Sequence, residues 1–288
     1  MKEAEDRLQL VRKDHWINYP ISIQTSDKLG RLLTVERSHR PESLLIISES
    51  NNGKTIIAKR FLGLHPPRIV KSEENIEKIV MDVMMIQCPH IPDEKLFYLT
   101  ILDELNIAHK SSIRNAELLS IVMNAFLRLE LRILILDELQ HILGKVSPAK
   151  RGEFLNLIKS LSNQTQISIV GIGTREAFYV INSDPQLANR FNKVVVPKWK
   201  YDSSFLGLLA TYQKFICLKN EYTLLEPKIS RMIFDLGESL LGEYIKILKL
   251  CGEYAIESGE ELINVQTLKK IDYVSPSMRR DDSNLNDL

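Results

Sequence analysis

Five short apolar runs punctuate the first two thirds of the chain: Leu44–Ser48, Val83–Cys88, Ile133–Asp137, Ile167–Ile172 and Val194–Val196. Helix-period stretches fill the gaps, at Thr55–Leu62, Asp93–Leu105, Asn115–Leu129, Lys150–Leu161 and Thr174–Ile181. Strands alternating with helices predict an α/β fold, with a five-stranded, mostly parallel sheet between helices. A run such as I-L-I-L lacks polar alternation because both faces of such a strand are buried. The pattern stops after Pro197. Asp202–Lys219, Pro227–Leu236, Leu240–Glu257 and Val265–Tyr273 carry helical periodicity, with Pro227 suited to a first helical turn, and predict a small all-helical domain.

These patterns predict an N-terminal arm and first helix over 1–40, with the helix at Thr25–Arg37, and an α/β domain over 41–200. A helical lid over 201–274 and a polar, disordered tail over 275–288 follow. With 44% hydrophobic and 26% charged residues, the composition is that of an ordinary globular protein. No run approaches the ~18–20 apolar residues of a membrane-spanning helix, and the start M-K-E-A-E-D-R-L lacks the apolar segment of a secretory signal. Cys88, Cys217 and Cys251 are scattered and without metal-ligand spacing, which predicts reduced thiols in a cytoplasmic protein. A net charge of +1 excludes a bulk basic field. A nucleic-acid partner therefore has to be met by a local patch or by repetition across an oligomer.

The first run leads into S-E-S-N-N-G-K-T: Ser48, Glu49, Ser50, Asn51, Asn52, Gly53, Lys54 and Thr55. This segment follows a strand and opens a helix, the setting of a phosphate-binding loop. Turn-forming Asn51, Asn52 and Gly53 let backbone N–H groups face phosphate oxygens, and the helix N-terminus adds its dipole. Lys54 is placed to reach the β- and γ-phosphates of ATP, and the Thr55 hydroxyl to ligate Mg²⁺. Ser48 stands where the usual pattern has glycine, which costs little if its φ stays negative. The alternative is a plain strand–turn–helix with a solvent-facing lysine.

Another run ends in Asp137 and Glu138. A strand that delivers Asp137 at its carboxyl end places it where open α/β sheets bind ligands. Asp137 would hold the Mg²⁺ hydration shell and Glu138 would deprotonate the attacking water. An acidic helix cap is the bland alternative. The pair of motifs, in this order and with one strand between them, points to an AAA+ P-loop NTPase. Thr174, after G-I-G, offers a hydroxyl near the γ-phosphate or simply caps a helix. Arg190, before the last strand, is placed to point into a neighbouring subunit's site or is an ordinary surface arginine.

The chain resembles TniB, the AAA+ ATPase family of bacterial transposons related to TnsC. The marks are W-I-N-Y-P (Trp16–Pro20), L-L-I-I-S-E-S-N-N-G-K-T (Leu44–Thr55), H-P-P (His65–Pro67) and L-I-L-D-E ending at Glu138. G-T-R-E-A (Gly173–Ala177), D-P-Q-L-A-N-R-F (Asp184–Phe191) and L-L-G-E (Leu240–Glu243) complete them, over about residues 15–273. The resemblance implies an ATP-dependent regulator of DNA transposition, cytoplasmic and nucleoid-associated in a bacterium. Such proteins assemble on double-stranded DNA as rings or filaments. They link a TniQ-type targeting factor to a DDE transposase of the TniA/TnsB type.

By that analogy Ile17 and Tyr19 lie near the adenine, unless W-I-N-Y-P is a packing anchor. The loops Pro89–Lys95 and His109–Arg114 would line a pore, with Lys95, Lys110, Ser111, Ser112 and Arg114 as phosphate donors to DNA. The basic stretch Lys145–Arg151 is a second candidate. Where many AAA+ lids carry a γ-phosphate arginine after a glycine, Gly242 is followed by Glu243. That sensor is absent or displaced to Lys246, which implies slow, regulatory hydrolysis. A helicase loader of the DnaC type, another DNA-remodelling ATPase and a nucleotide-switched scaffold without turnover are the competing readings.

Overall fold

The computed structural model describes residues 2–71, 75, 77–110, 112–143 and 146–281. In chain order the elements are α1 (Lys2–Arg12), α2 (Pro20–Thr34), β1 (Ser43–Ile47), α3 (Lys54–Leu64), β2 (Arg68–Lys71), β3 (Glu77–Val80) and β4 (Val83–Gln87). Then come α4 (Glu94–Glu104), α5 (Asn115–Arg128), β5 (Ile133–Asp137), a 3₁₀ helix (Leu139–Leu143), α6 (Pro148–Thr165) and β6 (Ser168–Gly173). The chain continues through α7 (Arg175–Asn182), α8 (Pro185–Ala188), β7 (Phe191–Val195) and α9 (Ser203–Gln213). It ends with α10 (Pro227–Gly237), α11 (Leu241–Glu257), α12 (Val265–Lys270) and α13 (Pro276–Arg279).

Two compact units result, one of residues 21–50 and 54–196, the other of residues 1–20, 51–53 and 197–288. The first, the α/β unit, is built on a five-stranded sheet of order β4-β5-β6-β1-β7. All four strand pairs are parallel. Every residue of β1, β5 and β6 is buried, as double-sided cover demands. Leu134, Leu136 and Ile169 pack with Phe97, Phe126 and Phe154 in one cluster. Each aliphatic side chain fully withdrawn from water there contributes about 1.5–3 kcal/mol.

Three details of this unit depart from the sequence pattern. The last strand begins at Phe191 rather than Val194, because Asn192 and Lys193 are exposed on an edge strand and break the apolar run. Helix α2 begins at Pro20, five residues before the expected start. Its buried face includes Ser22 and Thr25, which mask the helical period; the Thr25 hydroxyl donates back to the Ile21 carbonyl at 2.6 Å. An antiparallel hairpin of β2 and β3 was not expected, since its residues are almost all exposed and show no apolar alternation.

The helical unit takes in residues 1–20, so the arm expected as one segment over 1–40 is shared between the units. Val11 of α1 is 1% exposed, and a Cβ on Gly252 of α11 would lie 2.9 Å from its Cγ1, a close approach that only glycine allows. Arg7 forms two 2.7 Å bonds to Glu261, and His15 stacks on Phe215 with ring centroids 4.1 Å apart. Helix α9 stops at Gln213, short of the expected Lys219, and the Gln213 side chain closes the following loop on Tyr222 and Leu224. The segment expected to be disordered from 275 begins with α13, where Arg279 pairs with Glu243; residues 282–288 lie outside the described residues. Among the described residues no helix is long and apolar enough to cross a membrane.

Candidate functional site

In the α/β unit the carboxyl ends of β1, β5 and β6 are adjacent, and the motif residues lie there. Ser48 follows β1, is 4% exposed, and donates its hydroxyl to the Val196 carbonyl at 2.9 Å. It is not among the residues with positive φ, so serine replaces glycine without strain and gains a tie to the strand-β7 side. Its N–H donates to the Gly173 carbonyl at 3.1 Å. Glu49 and Ser50 are exposed, and Lys54, 5% exposed, opens α3.

The Thr55 hydroxyl lies 3.3 Å from Asp137 Oδ1. Asp137 is 7% exposed, and burial raises its pKa although the Glu138 N–H and the Thr55 hydroxyl donate to it. The Lys54 charge also acts to lower it but forms no ion pair with it, and a buried carboxylate that faces a hydroxyl fits a Mg²⁺ ion that takes one or two protein oxygens and completes its shell with phosphates and water. Among the described residues no group of three or more His, Cys, Asp or Glu side chains could hold a metal, so no all-protein cage competes with this arrangement.

Glu138 has φ 54°, in the left-handed region, which turns the chain sharply from β5 into the 3₁₀ helix. Its carboxylate accepts from the Gln140 side chain, and Gln140 Oε1 in turn accepts the Thr174 N–H at 3.1 Å. Thr174 occupies the N-cap position of α7, yet its hydroxyl makes no capping bond and donates to Glu176 instead. That bond holds the Glu176 carboxyl below its ordinary range. Gln140 has no place in the expected motif. Its only sequence signal is an amide two residues after the acidic pair.

The crest of the loop, Asn51–Gly53, belongs by its contacts to the helical unit. Asn51 (φ 60°) and Gly53 (φ 88°) are left-handed. A Cβ on Gly53 would lie 2.8 Å from Leu241 and 3.2 Å from the Tyr19 hydroxyl, so both conformation and space require glycine. Leu240 is the N-cap residue of α11, and its apolar side chain cannot cap the helix. The crest supplies the missing acceptors: Asn51 O takes the Gly242 N–H at 2.9 Å and Asn52 Oδ1 the Leu241 N–H at 3.3 Å. Asn52 is fully buried and also donates to the Pro197 carbonyl at 2.8 Å. The two asparagines therefore serve as remote caps, not only as turn formers.

Asn51 Nδ2 donates to Glu243 at 2.9 Å, and Glu243 also accepts from Tyr273 at 2.7 Å and from Arg279. Lys246 lies over the Tyr273 ring, 5.7 Å from its centroid. Ile17 and Tyr19 are each 7% exposed, and Tyr19 packs on Trp199 with centroids 5.1 Å apart, an anchoring arrangement.

Arg190 lies at the opposite edge of the sheet. Its carbonyl accepts the Ser43 N–H at the start of β1, and Phe191 is in register with Ser43. Ser48 is a full strand away, about 16 Å at 3.3 Å per residue. The Arg190 guanidinium donates to Asn163 Oδ1 at 2.6 Å, while burial and then Arg40 lower its pKa. Lys95 is half-buried on α4, whereas Lys110, Ser112 and Arg114 are exposed between α4 and α5. Ser111 and Lys145 lie outside the described residues.

The chain is similar to several solved structures. The ORC1 protein of Aeropyrum pernix in complex with DNA shares 17% identity at a TM-score of 0.63, over 91% of this chain and 67% of that one. The ORC2 protein of Aeropyrum pernix, with ADPNP and ADP, shares 16% at 0.64, over 91% and 70%. Cdc6p of Pyrobaculum aerophilum shares 17% at 0.61, over 88% and 67%. At these identities the likeness shows the fold, which is that of the AAA+ ATPases. No curated protein matches the chain. The family described as bacterial TniB protein matches residues 7–201, more than half of the chain. The protein belongs to the TniB family.

Proposed function

We propose that this protein is an ATP-dependent regulator of DNA transposition, which binds ATP with Mg²⁺ at Ser48–Thr55 and hydrolyses it. The observation that carries the hydrolytic reading is the Thr55 hydroxyl set 3.3 Å from buried Asp137, with Glu138 next to it. Bound Mg²⁺ supplies neutralisation of the phosphate charge, and Thr55 and Asp137 are the residues that would hold it. Lys54 binds the β- and γ-phosphates, and Glu138 takes the proton of the attacking water. The ADPNP and ADP bound to the Aeropyrum pernix ORC2 protein support nucleotide binding here.

Arg190 is about a strand's length from its own phosphate loop, so it serves catalysis only at the site of a second copy. That role makes the γ-phosphate a link between subunits and supports a ring or filament. Family membership and the DNA bound to the Aeropyrum pernix ORC1 protein support a DNA partner; duplex target DNA, a TniQ-type factor and a DDE transposase are the partners of this proposal. With a net charge of +1, DNA affinity comes from repeating a few contacts, for which Lys95, Lys110, Ser112 and Arg114 are the candidates.

Turnover, nucleotide affinity and duplex-DNA sedimentation of Lys54→Ala and Glu138→Gln test the reading together. Lys54→Ala is expected to lose ATP binding. Glu138→Gln is expected to keep ATP, stop turnover and stay on DNA. Equal loss of affinity in both would reverse the assigned roles, and undiminished turnover in Glu138→Gln would leave a different base to be found. Mixing Arg190→Ala with Lys54→Ala protein should restore part of the turnover at hybrid interfaces; no rescue at any ratio removes the second-copy role.

A further inference from the structure

Gln140 makes contacts that the phosphate and metal ligands do not explain. Its amide bridges two motif ends, one of them 34 positions from Gln140 itself: Nε2 donates to Glu138 Oε2, and Oε1 accepts the Thr174 N–H at 3.1 Å. The amide cannot be reversed, because a backbone N–H is always a donor. Oε1 must therefore face Thr174 and Nε2 must face the carboxylate. Space for the bridge is made by Gly173, where a Cβ would stand 2.5 Å from Gln140 Oε1. The left-handed backbone of Glu138 fixes the direction from which its side chain leaves the turn. Of the two carboxylate oxygens, Oε2 is thus taken, and Oε1 has no hydrogen-bond partner among the described residues.

We infer that Gln140 is a positioning residue for hydrolysis, which holds Glu138 by Oε2 so that Oε1 takes the proton of the attacking water. This rests on the reading of Glu138 as the base. The second half of the bridge gives the device its use: Gln140 is itself held by the end of β6, so a shift at Thr174 is passed to the base through one amide.

The test is steady-state ATPase of the full chain as a function of pH, with nucleotide affinity measured in parallel, for wild type, Glu138→Gln, Gln140→Ala and Gln140→Glu. Gln140→Ala is expected to lower kcat by about tenfold to a hundredfold, the cost of a misplaced catalytic group, with KM and affinity within about twofold. Gln140→Glu keeps the size but sets a second carboxylate against the first. Its kcat–pH profile is expected to shift its acidic limb upward, with activity returning as pH rises. Should Gln140→Ala fail to fold, the isosteric Gln140→Glu profile decides alone. Wild-type kcat and pH profile in both variants would overturn the inference, as would parallel loss of affinity and kcat with an unshifted profile. Turnover surviving in Glu138→Gln would instead remove the reading on which the inference rests.

Discussion

Among the described residues each unit buries one carboxylate almost completely, Asp137 at 7% exposure in the α/β unit and Glu243 at 4% in the helical unit. Their surroundings differ in kind. Glu243 accepts from an amide, a phenol and a guanidinium, all supplied by its own chain. Asp137 has one backbone N–H and one hydroxyl, and burial keeps its pKa raised in spite of them and of the Lys54 charge, which forms no ion pair with it. A buried charge that the chain itself compensates is part of the architecture; one left in deficit is ready for a cation from outside. Burial and residue type alone do not separate the two cases.

The sharpest way to break this comparison is to neutralise each carboxylate. Asp137→Asn should lower ATP turnover by about a thousandfold, as loss of a metal ligand worth several kcal/mol implies, while the ligand-free fold melts no earlier than wild type. Glu243→Ala should do the reverse. It takes the Glu243 acceptor from the Asn51 amide and the Arg279 guanidinium and leaves the Tyr273 phenol only the Leu236 carbonyl, and about 1–3 kcal/mol of stability goes with it. Both tryptophans, Trp16 and Trp199, are in the helical unit, so denaturant titration followed by their fluorescence reads this loss directly. Early melting in Asp137→Asn, or none in Glu243→Ala, would make the two sites alike.

The smallest effect lies in pH. Because the folded-state pKa of Asp137 is raised by burial, its contribution to the ligand-free protein is complete below the unfolded value and is lost as pH rises through the folded one. Glu261 has the opposite sign: the Arg7 bonds hold it low, so its contribution is present above the unfolded value and fades as pH falls through the folded one. Melting curves from pH 4 upward should therefore show a decline in wild type that Asp137→Asn lacks, no steeper than about 1.4 kcal/mol per pH unit for one proton. An identical slope in the two proteins would say that Asp137 is already compensated.

Strands β1, β5 and β6 were legible because burial on both faces forces continuous apolar runs, and the motif residues at their ends followed from them. Elements that meet water on one side were not. Exposed Asn192 and Lys193 hid half of β7, and the β2–β3 hairpin left no apolar trace. Glu243 could be read only as a missing arginine, since Tyr273 and Arg279, 30 and 36 positions away, are what define it. Gln140 was silent for the same reason. Its meaning lies in a hydrogen bond to Thr174, and no spacing rule encodes a bridge between two strand ends.

The location of Arg190, one strand away from the phosphate loop on the same sheet, gives the α/β unit a front and a back. If the back of one copy completes the front of the next, and so on along a row, the joint is head-to-tail. A chain of such joints has direction, and an open chain has unequal ends. In such a row the terminal copy with its front uncovered would hold its ATP with no arginine to help discharge it, and that nucleotide would outlast every other. Loss of subunits would then run from inside or from the opposite end, and an assembly on DNA would age with a polarity that its duplex track does not possess.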